Sequence, residues 1–148
     1  MVNNRNGNIL FGVSGIMILV QGPVLRKALE KISEEKLVIV GSLILGANFV
    51  FFASNDIVLI YGAAILLAIG NGLMWPSFMS ILSKRAGTIS QGAVQGVASS
   101  FGSLASIIGL ISGGFLYNLI GVNTFLISAA IIFLVFTLSL QLPKIKID

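Results

Sequence analysis

The sequence predicts an all-α protein, a polytopic membrane helical bundle of five transmembrane helices. Three observations point there. The chain of 148 residues is 56% hydrophobic and only 9% charged, whereas a soluble domain carries about 25% charged residues. Its apolar residues gather into five stretches, 9–25, 37–54, 57–82, 92–118 and 122–142. Each is near or above the roughly 17 to 25 residues that a helix needs to cross a bilayer. The short alternating strands of a membrane β-barrel are not visible in the pattern.

Taken in order, 9–25 is the shortest stretch, and Arg26 and Lys27 at its end suit side chains that snorkel to the interface. It lacks the charge order and the small-residue cleavage site of a secretory signal. Ser14 and Gln21 within it are seven residues apart and share a helical face. In 37–54 the lone amide is Asn48, read as a packing residue. Asp56, in Ser54-Asn55-Asp56, is placed to cap the next helix, because a carboxylate at that position accepts from the free N–H groups of the first turn.

In 57–82, Tyr61, Ala64, Ala68, Asn71, Trp75 and Phe78 recur at steps of three and four, on one helical face. An amide beside aromatics fits the wall of a pocket for a drug-like molecule. It fits equally an interface tryptophan and an amide bonded to a neighbouring backbone. Gln95 has the same two readings. In 92–118, Gly92, Gln95, Ser99, Gly102, Ser106, Gly109 and Gly113 line one face, and Gly92/Gly96 and Gly109/Gly113 are both GxxxG pairs. In lipid such a stripe lets another helix approach closely. Gly92, Gly96, Gly102, Gly109, Gly113 and Gly114 are therefore the candidate packing and conformational residues. The stretch 122–142 is apolar almost throughout.

The loop charges set a topology. Arg26, Lys27, Lys31, Lys36, Lys84, Arg85, Lys144 and Lys146 fall on one side and Arg5 alone on the other, eight basic residues against one. Basic residues mark the cytoplasmic side. The N-terminus is expected outside and the C-terminus in the cytoplasm, as an odd number of spans requires. An N-terminus outside also suggests preceding spans in an ancestral protein. The net charge of +4 sits between spans rather than on one face, so a nucleic-acid partner is not expected. With no Cys and no His, thiolate chemistry, the usual general base and the commonest metal ligands are missing. No enzyme, metal or cofactor is expected. The short loop with Glu30, Glu34 and Glu35 among bases offers the i,i+4 pairs Arg26–Glu30 and Lys31–Glu35 if helical.

Gln91-Gly92-Ala93-Val94-Gln95-Gly96, with the run from Gly102 to Gly114, resembles the eleventh helix of the major facilitator superfamily, above all in the drug:proton antiporter branch that includes tetracycline efflux proteins. Gly109-Leu110-Ile111-Ser112-Gly113-Gly114 is similar to the G-P-x-x-G-G motif there, with Leu110 where proline is usual. Gln21-Gly22-Pro23-Val24-Leu25-Arg26-Lys27 resembles the loop between the eighth and ninth helices, without its aspartate, and Gly70-Asn71-Gly72 with Pro76 and Ser83 is similar to the tenth helix. The resemblance implies one transmembrane domain over 1–148, an incomplete C-terminal half comprising helices eight to twelve. It implies alternating access for a small-molecule substrate in the plasma membrane, with efflux in view. Asn71, Trp75, Gln95 and Gln21 are the candidate substrate-binding residues. The expected partners are the lipid bilayer and an N-terminal transporter half or another membrane subunit. The alternative is a non-transporting membrane scaffold or assembly subunit derived from a transporter half.

Overall fold

The computed structural model describes residues 31–54 and 56–144, together with Gly15, Ile18 and Lys27. Their order is α1 (Glu34–Phe52), α2 (Ile57–Ile120), a 3-10 turn (Gly121–Asn123), α3 (Thr124–Ser139) and a second 3-10 turn (Leu142–Lys144). Among the described residues there is no strand, so the all-helical bundle is what forms. Apart from Gly15 and Ile18, the stretch 9–25 with Ser14 and Gln21 lies outside the described residues, as do Arg26 and Glu30.

Glu34 and Glu35 occupy the first turn of α1, where acidic groups complement the positive end of the helix dipole. Asp56 caps α2 as its sequence position predicts: its carboxylate accepts from the Val58 N–H at 2.8 Å. α2 has 64 residues, about 96 Å of helix at 1.5 Å per residue, far beyond one bilayer crossing. It is not one rod. Gly87 has φ 67° and ψ 174°, a conformation that glycine adopts at little cost. A Cβ built on Gly102 lies 3.5 Å from Trp75 Cη2, whereas those residues would be about 40 Å apart on a continuous helix. The chain therefore turns back at Gly87. We call Ile57–Gly87 the first arm and 88–120 the second.

By length and composition, Glu34–Phe52, Ile57–Gly87 and Ser90–Ser139 can each cross a membrane. The last has 50 residues and is broken at Gly121, where φ is 58°. It is long enough for two crossings of a hydrocarbon core about 30 Å thick. The apolar exterior fits that solvent: Leu110 is 78% and Phe101 70% exposed.

α1 is the central element. One face meets the first arm and another meets α3, while α3 and α2 touch little away from their connecting turn. A Cβ on Gly41 would lie 2.8 Å from Met74 Cβ and 2.9 Å from the Gly70 carbonyl oxygen. On the other face, a Cβ on Gly46 would lie 2.8 Å from the Phe133 ring. α3 runs antiparallel to α1, with the Phe125 ring 5.5 Å from that of Phe52 and tilted by 30°.

Gly41→Ala is expected to destabilise the chain by about 1 to 3 kcal/mol, the usual cost of overpacking. Gly109→Ala, with nothing within 4 Å of the new methyl group, is expected to be neutral or slightly stabilising, since alanine favours helix by about 1 kcal/mol. Thermal unfolding of both variants in detergent checks the contrast.

Candidate functional site

The candidate residues fall on both arms of α2. Asn71 is half-buried on the first arm. One helical turn on, Trp75 is 41% exposed. Its ring lies 6.2 Å from that of Phe78, and its edge meets Gly102 of the second arm. Gln95 is exposed. With Trp75 level with Gly102 and the arms running oppositely, Asn71 is level with about residue 106. That is roughly 16 Å along the arm from Gln95 at 1.5 Å per residue. The structure thus brings Trp75 to the glycine stripe but does not bring the two amides together. Gln21 lies outside the described residues.

The stripe itself is open. Around Gly92, Gly96, Gly109, Gly113 and Gly114 no described atom comes within 4 Å of a built Cβ, and Gly102 meets only Trp75. Four serines of this arm turn inward on their own helix. Ser100 donates to the Gly96 carbonyl at 2.9 Å, Ser103 to Ser99 at 2.9 Å, Ser106 to Gly102 at 2.8 Å and Ser112 to Ile108 at 2.7 Å. These four hydroxyls are satisfied without a partner helix, so shape is the larger part of what a partner must match.

Beside the arms lies a cavity of about 300 Å³ between α1, the first arm and the end of α3. Val38, Met74, Trp75, Phe78, Val135 and Leu138 form most of its wall. Asn71 is not on it.

One contact was not anticipated from the pattern. Glu34 accepts from Lys84 Nζ at 2.8 Å and from the Ser80 hydroxyl. This pair joins the start of α1 to the end of the first arm, so both basic segments lie at one end of the bundle. The local pair Lys31–Glu35, offered if that stretch were helical, does not form, because Lys31 sits in the turn ahead of the helix rather than on it. Asn48, read from the sequence as a packing residue, is fully buried. Its Nδ2 donates to the Leu45 carbonyl at 2.8 Å, while Oδ1 has no partner among the described residues. Its isolation within an apolar stretch was the only available signal. No group of three or more metal-ligating side chains occurs among the described residues.

The family model described as Major Facilitator Superfamily matches residues 4–146. A protein of Bacillus subtilis (strain 168), named as the uncharacterized MFS-type transporter YttB, is 24% identical over 131 residues. That alignment covers 86% of this chain and 33% of the relative. The chain thus spans about a third of the length of the curated relative it matches. No solved structure matches.

The Lys84 side chain is 70% exposed and that of Glu34 only 12%, so the pair belongs near the surface end of the scale. A double-mutant cycle with Glu34→Gln and Lys84→Met is expected to show a coupling of about 0.5 to 1 kcal/mol. Additive effects on thermal unfolding would remove the pair as a brace.

Proposed function

The chain belongs to the major facilitator superfamily, and we propose that it forms helices eight to twelve of a transporter that exports a small amphipathic molecule by alternating access. The observation that carries this reading is the face of the second arm that no described residue covers. A helix with its bulk removed along one side and four of its serine hydroxyls bonded internally suits a surface that packs against, and moves over, another transmembrane helix. The alignment over 33% of the B. subtilis relative supports a larger transporter.

In this reading the charged end faces the cytoplasm of the plasma membrane, following the excess of basic residues there. The Glu34–Lys84 contact supports placing two of those segments on one side. Asn71 and Trp75 present an amide and an aromatic surface to the cargo, and Gln95 contributes from the second arm. Between residues 37 and 142 the only acid is Asp56, which is a helix cap. A carboxylate for proton antiport therefore comes from outside that stretch.

Flux of a fluorescent amphipathic cation in vesicles tests the reading, with the chain alone and with a co-expressed N-terminal transporter half. Flux is expected with the half present. Asn71→Leu or Gln95→Leu is expected to lower it about tenfold, as loss of one hydrogen bond to the cargo would. Absence of flux in both formats would instead favour a scaffold or assembly subunit.

A further inference from the structure

The cavity shares Trp75 with the proposed cargo surface but includes neither Asn71 nor Gln95 in its wall, and its chemistry points to a different occupant. Val38, Trp75, Phe78, Val135, Leu138 and Leu142 give it an apolar wall. Its polar liner, Ser139, already donates its hydroxyl to the Phe136 carbonyl at 2.7 Å. A drug-like cargo needs a few free polar groups to orient it. A hydrocarbon chain needs none.

The mouth differs in character. Val38 lies one turn from Glu34, which binds Lys84 at 2.8 Å. Phe78 is six residues, about 9 Å of helix, below Lys84. The 3-10 turn Leu142–Lys144 packs on α1. The described side chains at this end include four basic ones, Lys31, Lys36, Lys84 and Arg85, against Glu34 and Glu35. Among the described side chains that is a surplus of two positive charges at the end of the bundle nearest the cavity.

We infer that the cavity holds one acyl chain of an anionic phospholipid, with the phosphate drawn to the basic end that carries Lys36, Lys84 and Arg85. Juxtamembrane bases attract anionic headgroups, and an apolar cavity of this size is filled at no polar cost by methylenes. The site requires only that the helices stand in a bilayer. It holds whether or not the chain transports.

Trp75 is the sole tryptophan of the sequence, and it lies on the cavity wall, so its fluorescence reports occupancy. The full 148-residue chain is reconstituted in phosphatidylcholine vesicles, and acyl-brominated lipids are titrated in. Brominated phosphatidylglycerol is expected to quench Trp75 saturably, with a midpoint at about fivefold lower mole fraction than brominated phosphatidylcholine. Lys36→Gln with Arg85→Gln should bring the two midpoints together. Val135→Phe, or Leu138→Phe if the first variant loses its helical circular dichroism, should abolish the saturable phase by filling the cavity. Equal, linear quenching by both lipids would show only a tryptophan facing bulk lipid and would overturn the assignment. Saturable quenching by a brominated free fatty acid, without any preference for the anionic phospholipid, would also overturn it.

Discussion

Backbone lying against backbone at Gly41 and Gly70 is the contact on which the rest of the bundle depends. Hydrocarbon supplies no hydrophobic drive between helices, so association rests on close packing. A side chain on Gly41 would meet Met74 and the Gly70 carbonyl oxygen, and one on Gly70 would meet Leu45 and the Gly41 carbonyl oxygen at 3.1 Å. This reciprocity fixes the register of α1 on the first arm. It sets Leu37 against Leu73 and brings Glu34 to Ser80 and Lys84. α3 takes the other face of α1, at Gly46. With α1 between them, the end of α3 and the first arm do not close on each other, and the gap is the apolar cavity.

Polar groups follow the same economy of partners. Ser42 donates to the Ile39 carbonyl at 2.8 Å, as four serines of the second arm donate within their own helix. An unmet hydroxyl in a low-dielectric medium costs more than a slight bend in a helix. The exceptions are informative. Asn48 Oδ1, Ser77 Oγ and Thr124 Oγ1 are buried without a partner among the described residues, and all three are on elements that pack together. Those four serines of the second arm, which is largely exposed, are paired instead.

Much of the architecture was legible before any coordinates. Low charge with long apolar runs left helices in lipid as the only solution, and the cap at Asp56 followed from its place before an apolar run. The central contacts were not legible. The sequence draws attention to Gly92 through Gly113, where glycines and serines recur at three and four. The glycines that do the packing within the described residues are Gly41, Gly46 and Gly70. Gly41 and Gly46 are five apart and face different helices, so no single-face periodicity marks them. Glu34–Lys84 was hidden for another reason. Local spacing offers i,i+4 pairs at once, whereas a partner 50 residues away appears only when the hairpin is in register. Likewise, the approach of Trp75 to Gly102 depends on the reversal at Gly87.

That register also limits what the charged end can do in a rocking mechanism. Glu34 and Lys84 both belong to the body made by α1, the first arm and α3, so a rigid rotation of that body leaves their distance unchanged. A contact that holds one access state must instead span two bodies, because only then does its energy differ between states. The second arm meets that requirement better. It is bounded by the positive-φ glycines Gly87 and Gly121, it meets the first arm at Trp75, and its long side, which no described residue covers, is the surface left for a partner. Differences in energy between access states would then come from how well that stripe is matched by whatever packs on it, not from the ion pair.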